Sequence, residues 1–343
     1  MTADRSTPDG LDLPALEAFF AGHVPGFGGT LRAELLQGGR SNLTYLLSDG
    51  RRRWVLRRPP LGGLTPSAHD MGREYRVVAA LGNSDVPVAR AVAFAEADVL
   101  GVPCSIVEYV EGSVLRTTGQ LHALSDPDIA RCAYGLVDAL ARLHAVDPVA
   151  VGLGDFGRPE GYLGRQVRRW RDQWERVRTR SLGDIERLHA RLADLCPQES
   201  GASIVHGDFR IDNAILDPGD PGRVLAIVDW EMATLGDPLA DLGLHLVYAD
   251  PAFAPVLAGS APSTSDRLPP VEELAQRYAE VAGRDLGRLD FYLGLGYFKI
   301  AVIAEGIHAR FQQGLTRGSG FERVGEAVAP LAAAGLRALA TNS

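Results

Sequence analysis

Ile204-Val205-His206-Gly207-Asp208-Phe209-Arg210-Ile211-Asp212-Asn213, followed by Ala226-Ile227-Val228-Asp229-Trp230, is the stretch on which the fold turns. An apolar pair enters a tight turn at Gly207 and presents Asp208, and five residues on stands Asn213. A short strand over Ala214–Leu216, a turn rich in Pro, Gly and Asp, and a second strand over Val224–Val228 then lead to Asp229. Two strands divided by turn signals predict a hairpin that gathers Asp208, Asn213 and Asp229 around one point. An acid, an amide and a second acid so placed suit phosphoryl transfer. One carboxylate accepts the proton of an attacking hydroxyl, while the amide and the other carboxylate hold Mg²⁺ on a triphosphate. Taken singly, each of these residues is an ordinary turn or strand-end cap; their order along the hairpin carries the chemistry.

That order, Asp, four residues, Asn, and then a metal-binding Asp, is the catalytic-loop pattern of kinases. His206-Gly207-Asp208 with Asn213, Val228-Asp229-Trp230-Glu231, and Gly236-Asp237-Pro238-Leu239-Ala240-Asp241-Leu242-Gly243 together resemble the aminoglycoside phosphotransferase-like family of small-molecule kinases. Within it the chain is most similar to the branch that includes phosphotransferase domains fused to some acyl-CoA dehydrogenases. The resemblance runs from about Leu36 to about Phe311. It implies an α+β, protein-kinase-like fold of two lobes, with nucleotide in the cleft between them. Residues 1–25 are then an N-terminal arm and helix, 26–110 an antiparallel sheet lobe for the nucleotide, and 111–343 a mainly helical lobe with the catalytic loop and substrate region.

In the first half, Leu13–His23 has helical periodicity. Strands are expected over Leu31–Leu36, Leu43–Ser48 and Arg53–Arg57, with Asp49-Gly50 as a hairpin turn. Gly38, Gly39, Ser41 and Asn42 form a glycine-bearing turn of the kind that brings backbone N–H groups onto ATP phosphates. It is not a Walker A loop, lacking the Gly-Lys-Ser/Thr ending. Alternation puts Val55 and Arg57 on one face of the third strand. The kinase pattern wants an apolar residue over adenine at the first position and a cation for the phosphates at the second. The family usually has Lys there, and Arg58 takes the role if the register slips by one. Ala68–Leu81 is an amphipathic helix capped by Asp70, with Glu74 placed to pair with Arg57. Val86–Val88 opens a further strand, and Cys104–Val110 another. By resemblance Val107 is the gatekeeper, and backbone groups of Glu108 and Val110 meet the adenine edge.

After Gly112 the pattern becomes helical. Asp126–His144 carries an apolar face, Tyr162–Arg178 sets Trp170 and Trp174 among arginines, and Leu239–Tyr248, Val271–Ala282, Leu286–Phe311 and Arg323–Ala340 read as helices. The arginine-rich helix is either a solvated face or the border of an anionic pocket. By resemblance Asp241 is a buried acid supporting the loop near His206 and Gly207. Ser260–Pro270, rich in Ser, Pro and Thr, reads as a mobile loop.

Bulk composition bounds these readings. The 343 residues carry a net charge of -8 and 46% hydrophobic content, enough for a sizeable core and unsuited to nucleic acid or an anionic membrane as main partner. Cys104, Cys132 and Cys196 lack metal-like spacing, and with a polar N-terminus they suggest reduced thiols in a cytoplasmic protein. Lys299 is the one lysine in the chain, which reads as a compositional bias. The expected activity is ATP- and Mg²⁺-dependent phosphotransfer to a small-molecule hydroxyl. Asp208 is the base, Arg57 and Glu74 support the phosphates, and Asn213 and Asp229 hold the metal. The branch implies a hydroxylated acyl group, such as one carried on coenzyme A, as acceptor. An aminoglycoside acceptor and a non-catalytic nucleotide-binding module are the alternatives, and oligomeric state has no sequence signal.

Overall fold

The computed structural model describes residues 8–36, 42–61, 70–257, 261–316 and 320–340. Gly38, Gly39 and Ser41 lie outside the described residues, as does most of the N-terminal arm. The chain divides into two units: one runs to Glu111 and takes in Leu225–Ala233, while the other comprises Gly112–Val224 and the chain from Thr234 on.

In the first unit, α1 (Leu13–His23) begins at Asp12, whose carboxylate accepts the Ala15 N–H at 3.0 Å, with Pro14 in the first turn. Strands β1 (Arg32–Leu35), β2 (Leu43–Ser48) and β3 (Arg53–Arg58) form antiparallel neighbours. Then follow α2 (Met71–Leu81), β4 (Ala91–Ala95), the short α3 (Ala97–Leu100) and β5 (Cys104–Glu108). Among the described residues the sheet order is β1-β2-β3-β5-β4. Alternation along β3 buries Trp54 and Leu56 with Leu16, Phe20, Leu31 and Ile106, and Phe20 meets Trp54 edge to face at 5.2 Å. Val55 and Arg57 therefore point to the opposite face, toward α2. Asp70 caps α2 by accepting the Arg73 N–H at 2.9 Å. The strand expected at Val86–Val88 starts later, at Ala91. Pro87 has no N–H for a ladder, and its carbonyl instead accepts from Ile227 at 2.8 Å.

The second unit holds α4 (Thr118–His122), α5 (Asp126–Ala145), α6 (Tyr162–Val177) and α7 (Gly183–Asp194), the last not foreseen from sequence. Strand β6 (Ser203–Val205) precedes the loop 206–213. Strand β7 (Ala214–Asp217) pairs with β8 (Asp220–Ile227), which supplies the expected hairpin. Strand β9 (Thr234–Gly236), also unforeseen, pairs with β6. Helices α8 (Pro238–Val247), α9 (Val271–Ala282), α10 (Leu289–Gln312) and α11 (Val328–Ala338) complete the unit. Helix α10 is apolar nearly all round and packs on both α8 and α11. Gly243 permits the α8 contact: a Cβ there would stand 2.7 Å from the Tyr292 backbone. The expected helix over Arg323–Ala340 opens instead with a 3₁₀ turn at Val324–Ala327.

From Ala261 on, the Ser260–Pro270 stretch departs from the mobile loop read from its composition, and Ser260 lies outside the described residues. Ala261 and Pro262 are buried, Pro262–Thr264 forms a 3₁₀ turn, and Arg267 bonds Asp126 and the carbonyls of His122 and Leu124. Arg267, together with Ser265 bonded to His122 and the Ala261 carbonyl bonded to Thr118, ties the segment down.

Candidate active site

The expected trio divides between the units: Asp229 belongs to the first, Asp208 and Asn213 to the second. In the first unit Arg57 sits between two acids. Its Nη1 lies 2.5 Å from Glu74 Oε1 and its Nη2 2.9 Å from Asp229 Oδ1. The register alternative therefore resolves in favour of Arg57, since Arg58 turns away to the carbonyls of Gly10 and Pro59. Burial pushes the Glu74 carboxyl up to about 7, against the lowering effect of Arg57. Burial also pulls on the Arg57 guanidinium, but Glu74 and Asp229 outweigh it and hold the group above its ordinary value. Asp229 takes the left-handed conformation (φ 69°, ψ 60°), the one positive-φ non-glycine among the described residues. Aspartate tolerates that region better than most residues, and such backbone concentrates at functional sites. The turn after it is fixed by buried Trp230, whose indole N–H donates to Ile227 O at 3.0 Å. Arg73 donates to Ala233 O at 3.2 Å, and Asn42 Nδ2 lies 3.5 Å from Glu231 Oε2.

Val107 pairs with Val55 in the sheet. The Glu108 N–H donates to Arg90 O at 2.9 Å, so the adenine contact expected at Glu108 would fall to its carbonyl.

In the second unit the loop leaves β6 through Gly207 (φ +82°). Asp241, on α8, accepts the N–H groups of His206 (2.6 Å) and Gly207 (2.8 Å), with His144 Nε2 at 3.4 Å. Burial alone would raise the Asp241 carboxyl, but the hydrogen bonds and charges of His144 and His206 hold it below the usual range. His144, which Tyr278 joins at 2.7 Å, is thus a core residue behind the loop. Asp208 is held on every side. The Tyr248 hydroxyl donates to Oδ1, Arg210 Nε lies 3.4 Å from Oδ2, and Asn213 Nδ2 donates to the Asp208 carbonyl (2.8 Å) and to Oδ2 (3.3 Å). A carboxylate fixed in one rotamer, with long contacts on one oxygen, can accept a hydroxyl proton at that oxygen.

A profile of the phosphotransferase enzyme family matches residues 32–292. The chain belongs to this family. It is 34% identical over 336 residues to rat acyl-CoA dehydrogenase family member 11, a match that takes in 95% of this chain and 43% of that protein. The chain therefore spans less than half the length of that relative. A solved structure from Ralstonia eutropha JMP134, provisionally designated an aminoglycoside phosphotransferase, has 34% identity and a TM-score of 0.82 over 96% of this chain and 98% of its own. A thermostable aminoglycoside phosphotransferase APH(4)-Ia variant, solved as a ternary complex with AMP-PNP and hygromycin B, shares the fold at 18% identity (TM-score 0.62, covering 96% and 99%). The two-lobed α+β, kinase-like fold follows.

The Mg²⁺ expected from the sequence would need hard oxygen donors, and each unit by itself offers one. Asn213 commits its amide nitrogen to Asp208, so its carbonyl oxygen is the atom left for a cation; Asp229 offers the carboxylate oxygen not bonded to Arg57. Both are hard oxygen donors. Among the described residues no cluster of three or more His, Cys, Asp or Glu is built for a metal. A cation that completes its shell with phosphate oxygens and water needs none.

Sequence reasoning missed Tyr248, Arg210 and Lys299. Lys299 Nζ donates to Gly207 O at 2.5 Å and lies 5.5 Å from the Trp170 ring. The Glu305, His308 and Arg310 surface goes elsewhere: Glu305 is fully buried and accepts from Thr179 and Arg180.

Proposed function

We propose that this protein transfers the γ-phosphoryl group of ATP to a hydroxyl of a small molecule, a hydroxylated acyl compound being the acceptor class. The observation that carries the reading is the fixed geometry of Asp208, with Tyr248 on one oxygen and Asn213 against the other. Asp208 orients the acceptor hydroxyl and takes its proton as the oxygen attacks phosphorus. Arg57, clamped between Glu74 and Asp229, neutralises phosphate charge, and its planar fork is suited to phosphate oxygens. The glycine-bearing turn with Asn42, together with Val55, Val107, Glu108 and Val110, makes up the nucleotide side. Mg²⁺, held by Asn213 and Asp229, would supply charge stabilisation on the phosphates. Positioning and electrostatics carry the rate, with no covalent enzyme intermediate.

The relatedness to an acyl-CoA dehydrogenase family member supports an acyl acceptor, while the designation of the Ralstonia relative supports an aminoglycoside as second reading. The test is ATP consumption with Mg²⁺ across hydroxyacyl thioesters, amino alcohols, sugars and aminoglycosides. Turnover with a hydroxyacyl compound is expected. Turnover with none of them refutes the reading, and turnover with aminoglycosides alone moves the acceptor to the second class.

A further inference from the structure

The chain has one lysine, and the fold places it in an apolar helix, α10, beside the Asp208 loop. Lys299 makes no ion pair among the described residues; its ammonium donates to the Gly207 carbonyl at 2.5 Å and faces the Trp170 ring. An ammonium has three N–H donors, and a partly buried cation left without a carboxylate is costly to keep. The group fronts a small pocket of about 30 Å³ lined by Tyr162, Gln166, Trp170, Gly207, Asp241 and Leu295. Around it the charges act in both directions: Asp208 and Asp241 favour the ammonium, while burial and Arg169 oppose it and leave it below its ordinary value. Burial, with Asp241 and Asp237, raises the Tyr162 hydroxyl in the pocket wall against the smaller pull of Arg169 and Arg165. Lys299 has N–H donors to spare for an incoming oxygen acceptor.

We propose that Lys299 is the residue that recognises the acceptor, binding a carbonyl or carboxylate oxygen of a hydroxyacyl compound in the Trp170 pocket. The claim rests on the proposed transfer reaction for the meaning of "acceptor", but its test reads binding alone. S-(3-hydroxybutanoyl)pantetheine (carbonyl), 3-hydroxybutyrate (carboxylate) and hygromycin B (polycation) are titrated by calorimetry in the presence of AMP-PNP and Mg²⁺. The parent is compared with Lys299→Met and Lys299→Arg, with Lys299→Gln standing in if the Met variant fails to fold. Loss of one charge-assisted hydrogen bond weakens an oxygen-bearing probe about 10- to 100-fold, and Arg restores most of it. Whichever of the first two probes responds identifies the recognised oxygen. Thermal stability stays level or rises in Lys299→Met, because an unpaired cation is removed; a purely structural lysine would lower it. The inference is overturned if the parent binds neither oxygen-bearing probe, if Lys299→Met binds them as the parent does, or if hygromycin B binds the parent more tightly than both. Lys299-dependent binding without phosphate transfer to any compound leaves this inference standing and removes the transferase reading instead.

Discussion

Two carboxylates, Glu74 in the first unit and Asp241 in the second, are almost equally buried at 5% and 3% exposure, yet their acidities part in opposite directions. Glu74 is raised to about 7, whereas Asp241 is lowered. Burial pushes both up, so the partners make the difference. Asp241 accepts two backbone amides and a histidine, which bind its charged form. Glu74 has one cation, shared with Asp229, and among the described residues its Oε2 meets no donor. A fully satisfied buried acid is scaffolding. An under-satisfied one, sharing a cation with a strained neighbour, is the arrangement expected where a ligand is to complete the set.

The contrast breaks most readily at Asp241. Asp241→Ala leaves two buried amides and a histidine without their acceptor, and urea unfolding should report a loss of about 3–5 kcal/mol. A loss under about 1 kcal/mol would mean that the acid is not scaffolding. The stabilisation it gives is present above the ordinary aspartate range and disappears as pH falls through its lowered value, so parent and variant should converge in acid.

Arg57→Met is expected to cut phosphate transfer by about 10²–10³-fold while the fold survives, with Arg57→Lys recovering part of the rate. Parent-like transfer by the Met variant would reduce the cluster to a structural ion pair.

The smallest effect belongs to Glu74→Gln. A raised folded-state value means that the fold favours protonated Glu74, so its contribution is complete below about pH 4.5 and fades as pH rises through about 7. The Gln variant should gain on the parent between about pH 5 and 8, by about 2–3 kcal/mol. Parallel stability curves across that range would show that Glu74 stays ionised throughout.

Much of this was legible because the signals were local. Leu13–His23, Leu43–Ser48 and Val271–Ala282 fall where periodicity and turn residues put them, and Asp70 caps its helix. The choice between Arg57 and Arg58 needed only the burial of Trp54 and Leu56 to settle the face. What stayed hidden depends on contacts between distant positions. Tyr248 reaches Asp208 across 40 residues and Lys299 reaches Gly207 across 92, and neither sits in a local pattern. Strand β9 is three residues long and exists only because β6 pairs with it. The left-handed Asp229 has no glycine or asparagine to announce it. Lys299 did carry a signal, a solitary lysine in an apolar helix, which a compositional reading passes over.

The most direct measurement is a single turnover with γ-labelled ATP, Mg²⁺ and the acceptor found by screening, run on the parent and on Asp208→Ala, with AMP-PNP affinity measured beside it. Label should pass to the acceptor hydroxyl in the parent and fall by about 10²–10⁴-fold in the variant, with nucleotide affinity retained. Transfer by Asp208→Ala at the parent rate would contradict the account.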